Sequence, residues 1–243
     1  MYFGDDVDCE ECANYKDWST CEDCIHNEDH YDHFIQANPE ILAKMAEDQK
    51  RRFLDSIKKE EISIDPNPIF MEKLSQAWRF VPKIEREHKQ LFCAYCGQDR
   101  EGYLMATDGY RLVKINVDHH EQFVGKHLIL DDIENKIYAL PIDFSSPLSN
   151  GSAQGLLDKI DGARIKFFKD TVPFKEMIPG DGVEKEDPQI LIGNIVRIKK
   201  RYIDEILDCI PDFDEITLTY GGKVDSVGID SQVFKALIMP IRY

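Results

Sequence analysis

From residue 67 onward the apolar positions fall first at helical and then at strand spacing. In "NPIFMEKLSQAWRFVP" (67–82), Phe70, Leu74, Ala77, Trp78 and Val81 share one face. Asn67 stands where an N-cap is favoured, Pro68 suits the first helical position, and Pro82 ends the segment. Short alternating runs then predict strands at 90–96, 102–107 and 110–117. Residues 119–187 read less regularly: "KHLILDD" and "KIYALPID" as strands, "QGLLDKI" as a short helix, "ARIKFFK" as a strand, and "IPGDGVEKEDP" as a loop. Beyond them come strand "QILIG", a helix over 194–210, and strands "DEITLTY", "KVDSVGI" and "VFKALIMPI". The stripe of that helix is Ile195, Ile198, Tyr202, Ile206 and Cys209, broadened by Ile203, Leu207 and Ile210.

Upstream, Pro39 and the spacing of Ile41, Met45, Phe53 and Ile57 predict a helix over 39–61, followed by a proline-bearing connector at 62–68. Residues 1–38 show no periodicity. The chain thus divides into a Cys-rich segment (1–38), a helix and linker (39–64) and a main domain (65–243) with an insertion at about 119–187. The element order of the main domain is α+β, with two helices packed on antiparallel sheet.

The hydrophobic content of 42% is enough for a core in 243 residues, and no apolar run is long enough to span a membrane. "MYFGDDVDCEEC" lacks the basic and apolar regions of a secretory signal, so the expected location is cytoplasmic. There the seven cysteines read as thiols or metal ligands before disulfides. The net charge of −16 is uneven: residues 1–40 hold about twelve acidic residues against Lys16. The remainder is only mildly acidic with clustered basic residues, which keeps nucleic acid open as a partner.

The acidic segment carries "CEECANYKDWSTCEDC", in which Cys9, Cys12, Cys21 and Cys24 form two CxxC pairs. Two such knuckles can bring four thiolates onto a tetrahedral zinc at about 2.3 Å, and the metal would supply folding free energy that so polar a segment cannot gain by burial. Four protein ligands leave no open position, so a structural zinc is expected. His26, His30 or His33 could replace one cysteine, and a disordered acidic tail is the competing reading. Cys93 and Cys96 in "LFCAYCG" read as ordinary strand cysteines, since strand residues three apart face opposite sides. Cys209 reads as core.

The helix 194–210 places Arg197, Lys199, Lys200 and Arg201 in its first two turns, with Asp204, Glu205 and Asp208 nearer its end. Lys200–Asp204 and Arg201–Glu205 are pairs four apart in the less favourable orientation, and the helix dipole disfavours the whole order. A phosphate backbone nearby would account for it; a solvated face with partners elsewhere is the alternative. Lys73, Arg79 and Lys83 form a weaker basic set on the first helix. No GxSxG, Walker loop, HExxH or GxGxxG occurs, and His119 and His120 read as surface residues in a loop, so catalysis is not expected.

One stretch remains. "YLMATDGYRL" joins two strand patterns through a tight turn, and the chain ends in "ALIMPIRY". Together these resemble two motifs of the bacterial DNA polymerase III β subunit, the sliding clamp: an ATDGHRL-type strand-turn-strand and a MPMRL-type C-terminal strand. The resemblance covers about 65–118 and 188–243. It implies a DNA-clamp-like fold in a replication accessory protein that binds polymerases or other partners through a short linear peptide. By resemblance Thr107, Gly109, Arg111 and Leu112 form one wall of an apolar peptide pocket, and Leu237, Ile238, Met239, Pro240 and Ile241 the other. Arg242 lies at its rim, and Tyr110 replaces the usual histidine. It also implies helices facing DNA held topologically, which suits an acidic chain with Arg197, Lys199, Lys200 and Arg201 on a helix. A clamp subunit has three such domains and this chain has room for one, or one and a half. Either a homo-oligomeric ring or a non-ring module competing for clamp-binding peptides is therefore consistent with it, and 119–187 is either an insertion or a degraded second domain.

Overall fold

The computed structural model describes residues 60–62, 67–82, 93–131, 136–141, 144, 146–171, 173–176 and 188–241. The chain divides into two units, and these residues all belong to one of them, 57–82 with 86–243. Cys9, Cys12, Cys21 and Cys24, the three nearby histidines, Lys83, Arg242 and residues 39–59 of the helix expected over 39–61 lie outside the described residues. Glu60 and Glu61, expected at the end of that helix, instead form a two-residue strand, β1, pairing Ala139 and Tyr138.

Helix α1 (Pro68–Trp78) starts as its sequence dictates: Asn67 Oδ1 accepts from the Ile69 amide at 2.8 Å, with Pro68 at the first position. Phe70, Leu74 and Ala77 are fully buried and Trp78 nearly so, and α1 packs on β2 (Ala94–Gln98), β3 (Gly102–Thr107), β4 (Arg111–Val117) and β5 (His127–Asp131). Phe70 stacks on Phe123, from a short 3-10 turn, with centroids 4.2 Å apart.

The remaining elements are β6 (Lys136–Ala139), α2 (Ser152–Asp158), β7 (Ala163–Phe167), β8 (Lys175–Glu176), β9 (Gln189–Ile192), β10 (Val196–Lys199), α3 (Lys200–Leu207), β11 (Ile216–Tyr220), β12 (Val227–Asp230) and β13 (Phe234–Ile238). Among the described residues they form a ten-stranded sheet, β1-β6-β5-β2-β3-β4-β13-β12-β11-β7, and a three-stranded sheet, β10-β9-β8; every pairing is antiparallel. The described strands within 119–187 all join these sheets. They extend the large sheet at both ends, through β5 and β6 beside β2 and through β7 beside β11, and they add β8 to the small one.

The helix expected over 194–210 is shorter than its stripe suggested. Gly193 (φ 57°) and Asn194 (φ 59°) both take the left-handed conformation, and β10 folds back on β9 as a hairpin, with Val196 opposite Ile192. Val196 and Ile198 point inward and Arg197 outward, a period of two that the helical reading of the same residues obscured. Ile195, assigned to the buried stripe, is 42% exposed in that turn. From Tyr202 onward the stripe holds: Tyr202, Ile203, Ile206, Leu207, Cys209 and Ile210 are buried.

His120 also departs from its reading as a surface residue. It is buried against Gly102, where an added Cβ would lie 2.2 Å from the imidazole ring. Only the missing side chain at 102 makes room for it. Cys93 and Cys96 are fully buried, and burial pushes both thiols up to about 12. Among the described residues no cluster of three or more His, Cys, Asp or Glu is placed to hold a metal ion. No described helix is long and apolar enough to cross a membrane.

Candidate functional site

The turn between β3 and β4 is built from its own side chains. Thr107 Oγ1 donates to the Arg111 carbonyl at 2.6 Å and accepts from the Gly109 amide at 3.1 Å. Asp108 Oδ1 accepts from the amides of Tyr110 (2.9 Å) and Arg111 (2.7 Å), an Asx-type closure of the loop. Gly109 takes φ 87°, the conformation for which glycine is the ordinary residue. "TDG" is therefore a turn whose geometry its side chains specify.

Arg111 is the centre of the arrangement. Its Nε and Nη2 donate to Asp108 Oδ2 at 2.9 and 2.8 Å, and its Nη1 donates to Glu205 Oε2 on α3. The guanidinium lies between two rings, 4.9 Å from the Phe80 centroid and 4.7 Å from that of Tyr202, with the side chain 7% exposed. Burial alone would lower its pKa; Asp108 and Glu205 outweigh that and raise it, so the charge is held firmly. Arg111 thus joins the turn, the end of α1 and helix α3 by one side chain. The sequence reading named none of these partners, neither Asp108 nor Glu205, Phe80 or Tyr202.

The C-terminal strand lies directly against this turn. In the β4–β13 register Leu112 is opposite Leu237 and Arg111 opposite Ile238. The ladder continues past β13: the Met239 amide donates to the Tyr110 carbonyl (2.8 Å), and the Ile241 amide donates to the Arg197 carbonyl on β10 (2.9 Å). Two motifs more than a hundred residues apart in sequence are thus neighbours, within one sheet of one chain. Leu112, Leu237, Ile238 and Pro240 are buried, α2 packs against β13, and Ile160 lies so close to β12 that a Cβ on Gly228 would come within 2.7 Å of it. The surface that remains is a rim: Gly109 and Tyr110 exposed, Thr107, Met239 and Ile241 partly so. The Tyr110 ring, 62% exposed, stacks on Tyr202 with centroids 6.2 Å apart.

No family model matches the sequence, and no curated protein matches it. Solved structures do. The Helicobacter pylori beta clamp in complex with diflunisal is 12% identical, with a TM-score of 0.49, over 76% of this chain and 69% of that one. The same clamp bound to a DNA ligase peptide is 10% identical (TM-score 0.46; 76% and 65%), and Caulobacter crescentus pol III beta is 12% identical (TM-score 0.49; 77% and 68%). The chain resembles bacterial sliding clamps. The likeness is partial and divergent, spanning 65–69% of these clamp chains.

The basic residues divide into two groups. Arg79, at the end of α1, meets Asp208 at the end of α3 (3.3 Å), and its Nη1 lies 3.7 Å from Cys209 Sγ. Lys73 donates to Gln76 on the same helix. The second group is Arg197 and Lys199 on β10 with Lys200 and Arg201 opening α3. Lys200 pairs with Asp204 at 2.6 Å, as the spacing suggested. Glu205, expected to face Arg201, instead takes Arg111, and Arg201 lies 5.2 Å from the Tyr202 ring. Arg197 and Arg201 are exposed, Lys199 and Lys200 partly so. A separate cavity of about 440 Å³ is lined by Phe168, Lys169, Asp170, Thr171 and Asp212, away from both motifs.

Proposed function

We propose that the chain is a clamp-like accessory protein of DNA replication whose turn 107–112 and C-terminal strand 237–241 accept a short linear peptide from a partner. The observation that carries this reading is the register of β4 and β13, which puts the two motifs side by side with Met239 hydrogen-bonded to Tyr110. An apolar rim fixed on a rigid sheet, with backbone polar groups at its edge, is the kind of surface that takes a short extended segment. Tyr110, Met239 and Ile241 would make the contacts, with Leu112 and Leu237 beneath them. Arg111 would act by holding the turn, since its guanidinium is already committed to Asp108 and Glu205.

The test is fluorescence anisotropy with a labelled form of the DNA ligase peptide that the Helicobacter pylori clamp binds. Binding weakened by Met239→Ala, with the melting temperature unchanged, supports the groove. No binding by the native chain, or an affinity indifferent to Met239→Ala, overturns it. Encirclement of DNA by a homo-oligomer is a separate part of the proposal. Retention on circular but not on linearised DNA supports a ring, and a monomer at all concentrations leaves a peptide-binding module.

A further inference from the structure

Asparagine carries an electrophile, its side-chain carbonyl carbon, within reach of the next backbone nitrogen, and their union closes a five-membered ring. Whether it closes depends on that nitrogen and on the room around it. Asn67, Asn116, Asn150 and Asn194 are the asparagines among the described residues, and three of them are hindered. Asn67 precedes Pro68, whose nitrogen has no proton to lose. Asn116 lies within β4 with its side-chain amide donating to Glu101 at 3.0 Å, and the branched Val117 crowds the next nitrogen. Asn194 precedes Ile195, also branched, whose amide already donates to the Ile192 carbonyl at 3.0 Å.

Asn150 meets none of these obstacles. It is exposed, as are Gly151 and Ser152. Gly151 takes φ 79°, and the position of its missing Cβ has nothing within 4 Å, so the nitrogen is approached through open space. The Gly151 amide has no hydrogen-bond partner among the described residues. One contact favours the reaction itself: the Ser152 amide donates to Asn150 Oδ1 at 3.0 Å. That oxygen takes up negative charge as the carbonyl carbon becomes tetrahedral, so a donor already fixed on it stabilises that state.

We propose that Asn150–Gly151 is a self-modification site. The Gly151 nitrogen attacks Asn150 Cγ, a bond forms between them, and the bond from Cγ to the side-chain nitrogen breaks. The proton lost by Gly151 leaves with that nitrogen as ammonia. Water then opens the cyclic imide at either carbonyl, giving aspartate or isoaspartate. Either product adds one negative charge to a net −16, ahead of a helix whose first turn holds no acidic residue. Aspartate keeps the oxygen that accepts from Ser152. Isoaspartate instead lengthens the main chain by one methylene just before the buried Ala153 and Leu157 of α2, which packs on β13. The inference stands apart from the peptide groove.

The experiment incubates the full chain at mildly alkaline pH, folded and in urea, and follows the tryptic peptide 137–159 by chromatography and mass spectrometry. Conversion replaces an ammonia by a water and resolves two products of equal mass. The expected result is conversion in the folded chain at least as fast as in urea, while peptides bearing Asn67, Asn116 and Asn194 keep their mass. Gly151→Ala should lose most of the conversion; thermal melting checks its fold, since alanine is strained in a left-handed turn. Asn150→Gln leaves the turn glycine in place, and its isoelectric point should hold while that of the native chain drifts acidic. Conversion slower in the folded chain than in urea overturns the proposal, because the turn would then protect the asparagine. So does a Gly151→Ala rate equal to native, or an acidic drift of equal size in Asn150→Gln and the native chain.

Discussion

Replacing Arg111 with methionine keeps much of the side-chain volume and removes the charge, and its cost can be worked from the contacts. Asp108 is 16% exposed and loses two charge-assisted bonds, while keeping those from the Tyr110 and Arg111 amides. Stripping the partner from a mostly buried carboxylate costs about 3 kcal/mol, the low end for a buried pair because those amides remain. Glu205 is 36% exposed, so water replaces most of what it loses and its share is under about 1 kcal/mol. The two ring contacts add roughly 0.5 kcal/mol each, partly recovered by methionine packing on the same rings. The expected loss is therefore ~3–4 kcal/mol, or a melting temperature lower by ~6–16 °C for a body of this size. Urea denaturation followed by tryptophan fluorescence measures it, with Trp78 as a buried reporter. Double-mutant cycles sharpen the claim: coupling of Arg111 to Asp108 (as Asp108→Asn) should exceed its coupling to Glu205 (as Glu205→Gln). A loss below about 1 kcal/mol, or the opposite ranking of the two couplings, would refute this account of how the turn is held.

Two further predictions concern the sheet. His127 is buried between Tyr95 and Phe144, and burial lowers its pKa below the usual 6.5. The unfolded chain therefore binds a proton that the fold resists, so stability is full above about pH 7 and declines as pH falls from about 6.5 through the lowered value. Melting temperatures across that range should show the decline in the native protein and lack this component in His127→Phe; the same slope in both would count against it. Gly102→Ala drives a Cβ to 2.2 Å from the His120 ring and should cost at least about 1 kcal/mol, recovered in part by adding His120→Ala. A neutral Gly102→Ala would mean that His120 does not occupy that space.

The start and the buried face of helix α1 were written in the chain, because its cap and its apolar stripe are local signals that hold in the structure, although the helix stops at Trp78, ahead of the proline at 82 expected to end it. The same is true of the turn at 107–111, whose bonds run between residues at most four apart, and of the short alternating strands. Local signals failed where two periods overlap. Ile198 fits a helical stripe with Ile195 and a strand face with Val196, and it was the left-handed turn at Gly193 and Asn194, which folds β10 back onto β9, that decided for the strand. Strand order was not legible either. Which strands become neighbours depends on faces far apart in sequence finding each other, so the joining of β4 to β13, and of β5, β6 and β7 to the sheet's flanks, belongs to tertiary structure. The candidate site divides along the same line. Thr107, Gly109, Tyr110, Met239 and Ile241 could be named from their motifs. Only the fold turned Arg111 inward onto Glu205, between Phe80 and Tyr202, because a guanidinium leaves water only where two carboxylates and two rings converge on it.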